Sequence, residues 1–221
     1  MCIRDRCVIT KCLYFNKLNP FSTRKSPKAK KATWDLWIKV LIAVLPSGII
    51  GVLFEEQIDR IFFRPSVVAA ALIIYGVIMI WIENRHKRPG ITKFSQVSYK
   101  TALLIGLFQC LALVPGTSRS GSTIIGATLL GTSRYIAAEF SFFLAIPTML
   151  GASLLKLLKA GFAFTGFEWF IMLLGSLVAF IVSVIVIKFF MSYIKKHDFK
   201  AFGVYRIVLG IIVFIYFAIA G

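Results

Sequence analysis

The chain has 221 residues, of which 58% are hydrophobic and 14% aromatic while only 16% are charged, and its formal net charge is +17. Such a composition lies outside that of soluble domains and places the chain in a bilayer. The basic residues sit in short stretches between apolar runs, which argues against a nucleic-acid partner and for a membrane-topology signal.

The first six residues, Met1-Cys-Ile-Arg-Asp-Arg6, back-translate into the end of a sequencing adaptor, so 1–6 reads as an assembly scar and an N-terminal portion is expected to be missing. Residues 1–13 have no apolar stretch of the kind a secretory signal needs. Cys2, Cys7, Cys12 and Cys110 show no C-x-x-C spacing, and neither a zinc site nor a disulfide framework is expected. Segment 7–35 reads as a basic cytoplasmic segment, and 36–221 as a single all-α, polytopic integral-membrane domain.

Five runs have the length and apolarity of spanning helices: 36–54, 65–82, 136–155, 169–187 and 201–220. A sixth, 99–131, is interrupted at 115–121 by a proline, two glycines, hydroxyls and an arginine. Its second arm, 122–131, is about 15 Å long at 1.5 Å per residue, too short to cross. A broken helix at membrane depth is tolerated where it lines a polar cavity, so 99–131 is read as a re-entrant helix–loop–helix.

Charge places the loops. Segment 11–39 carries eight basic residues and one acid, 83–100 five and one, and 188–206 five and one, whereas 55–64 and 154–168 together carry four of each. The first three are cytoplasmic by the positive-inside rule and the other two face outward, with the C-terminus outside. A full crossing by 99–114 with no net crossing by the next two arms gives the same parity. Trp34, Trp37, Trp81 and Trp169 fall near the ends of spans, as interfacial anchors do. His86 reads as a solvated loop residue, and the Phe140, Phe142, Phe143 face as lipid or helix packing rather than a cofactor box.

Chemistry concentrates in the interruption. Pro115 ends the preceding arm, Gly116 and Gly121 permit tight backbone geometry, and Thr117, Ser118, Ser120 and Ser122 surround Arg119 with hydroxyls, with Thr123 following. The loop opens into a helix N-terminus, whose free N–H groups and dipole favour an anion, and the arginine fork suits phosphate oxygens. An arginine near the midplane costs about 2.5–3.5 kcal/mol even on insertion scales, so it has a partner or a function. Glu139, the only other acid well inside an apolar run, is the candidate partner, either as a simple ion pair or by orienting Arg119 toward a bound anion. An intramembrane phosphate cradle points to an amphiphilic phosphate, and no P-loop or dinucleotide fingerprint is present.

From about residue 13 to the C-terminus the sequence resembles the undecaprenyl-pyrophosphate phosphatases, the BacA-type bacitracin-resistance family of bacterial inner-membrane enzymes. The resemblance rests on Gly106-Leu-Phe-Gln109-Cys-Leu-Ala-Leu-Val-Pro115-Gly-Thr-Ser-Arg-Ser-Gly121, followed by Ala137-Ala-Glu139-Phe-Ser-Phe142 and Ala145-Ile-Pro147. It implies an inverted-repeat fold in which two re-entrant hairpins form an outward-facing site that hydrolyses undecaprenyl diphosphate to recycle the lipid carrier of cell-wall synthesis. It also implies that Arg119, Ser118 and Ser120 act on the pyrophosphate, that Gly116, Thr117, Gly121, Ser122 and Thr123 bind it, and that Gln109 is a polar neighbour. For Gln109 an interhelical hydrogen bond without a catalytic part stays equally open.

The glutamate-rich motif and the Ser-Ser-Thr-Gly-His loop that the resemblance places in the other hairpin do not occur in this sequence, and neither His86 nor His197 lies in such a context. The chain is therefore expected to hold no metal ligands, to be inactive alone, and to need a divalent cation, Mg or Ca, whose ligands lie on that hairpin. A homodimer is admitted without being specified. The rival reading is a secondary transporter of a small anion using a broken-helix site.

Overall fold

The computed structural model describes residues 27–85, 89–160, 165–194 and 197–220. The expectations for 1–6, for most of 7–35, for His86 and for Cys2, Cys7 and Cys12 lie outside the described residues. Within them run seven helices: α1 (Pro27–Phe62), α2 (Pro65–Asn84), α3 (Tyr99–Cys110), α4 (Arg119–Leu129), α5 (Arg134–Ala160), α6 (Gly166–Ile194) and α7 (Lys200–Ala220). Short 3-10 turns cover Phe94–Gln96 and Leu111–Leu113, and the only β pairing among the described residues is an isolated bridge between Ile91 and Thr132. Five of the helices, α1, α2, α5, α6 and α7, are long and apolar enough to cross a membrane, so the chain is an all-α multi-pass membrane protein.

Where the helices exceed the expected spans, the reason is propensity. α1 runs from Pro27 rather than residue 36 and ends at Phe62 rather than 54. The flanking Ala29, Lys30, Lys31 and Ala32 at one end, and Glu55, Glu56 and Gln57 at the other, are good helix formers, so the hydrogen-bond ladder continues beyond the apolar stretch. The stretch 27–35 is therefore helical rather than a loop.

Close backbone contact holds the bundle together. A Cβ on Gly203 would lie 2.8 Å from the Gly76 carbonyl oxygen and 2.7 Å from Ile80 Cγ1, and one on Gly210 would lie 3.0 Å from the Ala69 oxygen. The order of these contacts makes α2 and α7 antiparallel, and small residues let them approach as membrane helices do when no hydrophobic drive separates them from lipid. α6 differs: Leu173, Phe180 and Phe189 are exposed along it, and it presents an apolar surface suited to lipid tails.

α3 packs on α1 at Gly106, where an added Cβ would collide with the Ala43 carbonyl oxygen and lie 2.9 Å from Ala43 Cα. Both are main-chain atoms, so no rotamer change relieves the clash. Gly106→Ala is expected to destabilise by about 1–3 kcal/mol or more through overpacking. The readout is a lowered thermal midpoint in detergent, and an unchanged midpoint would show that α1 and α3 separate freely.

The two arms α3 and α4 have 12 and 11 residues, about 18 and 16 Å at 1.5 Å per residue. Both return to the same end of the bundle. At that end Tyr99 donates to Asp35 Oδ1 of α1 at 2.5 Å. The 89–98 segment reaches the α4–α5 turn through Ile91 N–H to Gly131 O at 3.0 Å and Ser133 N–H to Ile91 O at 2.8 Å, and Arg134 pairs with the buried Glu83 of α2. Under the apex, Phe140, Phe143 and Leu144 of α5 pack with Ile105 of α3 and Val40 of α1, so Phe140 and Phe143 take the helix-packing role, with Phe142 partly buried beside them.

Candidate phosphate site

Sequence dictates the apex between α3 and α4. The residue before a proline avoids helical ψ, and Val114 is extended, at φ −73 and ψ 124, after the 3-10 turn has ended. Gly116 follows in the left-handed region at φ +92, against the backbone of Val68 in α2. Ser118 is also at positive φ, 61°, the only non-glycine so placed among the described residues. Such a conformation costs about 1–3 kcal/mol and persists only where the surroundings over-determine it. Here Ser118 is the N-cap of α4, its Oγ accepting from Gly121 N–H at 3.3 Å.

α4 thus begins at Arg119, three residues before the expected 122, because the cap falls on Ser118. Ser122 N–H bonds to Ser118 O at 3.0 Å, which leaves the N–H groups of Arg119 and Ser120 without a partner among the described residues. With the Ser118 and Ser120 hydroxyls, 3.4 Å apart and exposed, they form a donor-rich helix N-terminus.

The apex opens on a cavity of about 490 Å³. Gly116, Ser118, Ser120, Gly121 and Arg206 form its polar wall, and Leu72, Met79, Ile124, Phe190, Phe202 and Tyr205 stand among its apolar and aromatic residues. Four expected site residues therefore meet there. Arg119 stands at the first position of α4 but is not part of the wall, and its half-buried side chain has no ion pair among the described residues, with Glu139 or otherwise.

The remaining expected residues point elsewhere. Thr117 is buried and its hydroxyl donates to Leu111 O at 3.0 Å and Val114 O at 2.8 Å, closing the end of α3. Ser122 Oγ donates to Ser118 O at 3.2 Å, and Thr123 Oγ1 lies 2.6 Å from Ser141 Oγ of α5. Both are buried, with Thr123 on the face of α4 that packs against Ser141 of α5. Glu139 is fully buried on α5. Gln109 donates to Ser47 Oγ of α1 at 2.8 Å and to Thr148 Oγ1 of α5 at 3.3 Å, an interhelical polar cluster outside the cavity wall.

In the sequence Arg206 counts only among the cytoplasmic charges of 188–206. It lies six residues into α7 and is 8% exposed, and its Nη2 donates to Gly116 O at 2.7 Å. The signal was available, because Arg206 is the one charged residue within the apolar run 201–220 and the midplane-arginine argument applies to it as to Arg119.

A divalent cation does not fit these residues. The cavity wall offers a guanidinium, hydroxyls and glycines with no carboxylate, and no cluster of three His, Cys, Asp or Glu occurs among the described residues. What the wall suits is an anion beside an apolar surface.

Residues 9–212 match the family described as bacitracin resistance protein BacA. The chain is 73% identical over 205 residues to undecaprenyl-diphosphatase 1 of Clostridioides difficile, covering 93% of this chain and 75% of that protein. It is 59% identical over 207 residues to an undecaprenyl-diphosphatase of Acetivibrio thermocellus, with 93% and 76% covered. A relative of the same name from Enterococcus faecalis is 56% identical over 211 residues, with 94% and 76% covered.

Proposed function

The chain belongs to the bacitracin resistance protein BacA family, and from that premise we propose that it serves the hydrolysis of undecaprenyl diphosphate to undecaprenyl phosphate and phosphate, recycling the carrier for cell-wall synthesis. The observation that carries this reading from the geometry is the two-faced cavity, with glycine, serine and arginine on one wall and leucine, methionine and phenylalanine on the other. Such a wall pair suits a phosphate head on a polyprenyl tail.

In this reading α3 and α4 form a re-entrant hairpin, supported by arms shorter than the ~30 Å hydrocarbon core and by the return of both to one end of the bundle. We read the apex as lying toward the outer side of a bacterial inner membrane, while the apolar wall at Met79, Phe190 and Phe202 runs toward the basic end. Supporting that, Gly116 packs on Val68 and Ala71, near the start of α2, whereas the basic 83–100 segment follows its other end.

The chain's own groups neutralise and orient. The free N–H groups of Arg119 and Ser120, the Ser118 and Ser120 hydroxyls and the α4 dipole are aimed where phosphoanhydride oxygens gain charge as the P–O bond breaks. Arg119, whose side chain has no ion pair or hydrogen bond among the described residues, is available to the outer phosphate. Attack on phosphorus and the divalent cation are assigned to the glutamate- and histidine-bearing hairpin that the resemblance implies.

Reconstituted in proteoliposomes together with such a hairpin, the chain is expected to release phosphate from undecaprenyl diphosphate without moving anion across the bilayer. The chain alone should release little. Anion uptake without hydrolysis would replace this reading with a transporter.

A further inference from the structure

Resting on the reading above, we propose that Arg206 is a second phosphate-binding cation of the site, contacting the anion directly from α7 across the cavity from the α4 N-terminus. Four observations carry it. Arg206 is more than nine-tenths buried, and none of the ion pairs among the described residues includes it. Among the described residues its polar contacts are a single hydrogen bond, to the neutral Gly116 carbonyl, and the Tyr75 ring with centroid 5.8 Å away. Its Nε is buried without a hydrogen-bond partner. Among the described residues it is the only charged one of the cavity wall, which it shares with Ser118 and Ser120.

A buried guanidinium needs a compensating charge, and a carbonyl and a ring face supply only partial ones. Of its five donors the Gly116 bond uses one, and the cavity leaves room for an anion beside the others. The position also explains the glycine at 121. A Cβ there would lie 3.0 Å from Arg206 Nη1, so the missing side chain lets the guanidinium lie along the first turn of α4. Arginine and helix N-terminus then converge on one volume, as bidentate phosphate recognition requires.

The bland alternative is that Arg206 merely braces the apex through Gly116 O. Glutamine at 206 separates the two, since its amide can still donate to that carbonyl while the charge is gone. Binding of inorganic pyrophosphate to the purified chain in detergent, by calorimetry, is the measurement, with orthophosphate as a parallel titrant.

The unaltered chain should bind pyrophosphate more tightly than orthophosphate. Arg206→Gln should bind it at least about tenfold more weakly, while Arg206→Lys stays within about tenfold of the unaltered chain. Pyrophosphate binding by Arg206→Gln within twofold of the unaltered chain would overturn the inference and leave the phosphatase reading standing. Should Arg206→Gln not fold, Arg206→Lys decides: retained binding supports the charge, and a loss beyond tenfold overturns it. No binding of either phosphate by the unaltered, folded chain would instead overturn the phosphatase reading on which the inference rests.

Discussion

Arg119→Ala is expected to weaken pyrophosphate binding by the chain at least about tenfold and, in the chain completed with the glutamate- and histidine-bearing hairpin, to lower turnover about 10²–10³-fold, the loss typical of removing one charge-stabilising donor. The thermal midpoint without ligand should stay the same or rise. The reason lies in what Arg119 does not touch: its half-buried guanidinium has no ion pair or hydrogen bond among the described residues. In the re-entrant hairpin proposed above, removing that uncompensated charge relieves a penalty of about 2.5–3.5 kcal/mol on insertion scales.

A structural ion pair makes the opposite prediction. Breaking a buried pair strands the other charge and destabilises by about 3–5 kcal/mol. A sharp fall in the midpoint of Arg119→Ala with pyrophosphate binding intact would therefore return Arg119 to a structural role. Arg119→Lys should recover part of the binding, because lysine keeps the charge and loses the planar fork.

The spans and the broken helix were legible because both are questions of length. An apolar run of 18–20 residues and an arm of 10 differ against a fixed bilayer thickness whatever their partners. Which hydroxyl faces the cavity was not legible. Ser118, Ser120, Ser122 and Thr123 have similar chemistry in sequence, but the N-cap at Ser118 sets the helical phase, leaving Ser118 and Ser120 exposed and Ser122 and Thr123 buried. The cap could have fallen on another of these hydroxyls, and each choice rotates the face.

Arg206 escaped for a different reason. Positive-inside counting treats every lysine and arginine in a segment alike, and Arg206 was absorbed into the tally that fixed the topology of 188–206. The count survives its removal, since four basic residues still face one acid there. Gln109 stayed ambiguous because its partners, Ser47 and Thr148, lie 62 and 39 residues away, and both follow prolines, Pro46 and Pro147, that sit inside helices.

Gly116→Ala is expected to cost more than any other single methyl added to a glycine of the apex, because two penalties coincide. At φ +92 an L side chain pays about 1–2 kcal/mol for the left-handed backbone. Its Cβ would also stand 2.7 Å from Val68 O and 2.9 Å from Val68 Cα, main-chain atoms of α2 that no rotamer change can move, adding about 1–3 kcal/mol of overpacking. Two other glycines separate these terms. Gly131 shares the conformation, at φ +87, but has nothing within 4 Å of an added Cβ, so Gly131→Ala carries the backbone penalty alone. Gly151 lies inside α5 with the same open space, where alanine is neutral or slightly favourable. Thermal midpoints should therefore fall in the order Gly116→Ala, then Gly131→Ala, then no loss for Gly151→Ala. Only the first should also lose pyrophosphate binding, because pushing residue 116 off α2 takes with it the carbonyl that holds Arg206 at 2.7 Å. Equal losses at 116 and 131 would show that the apex does not depend on its seat against Val68.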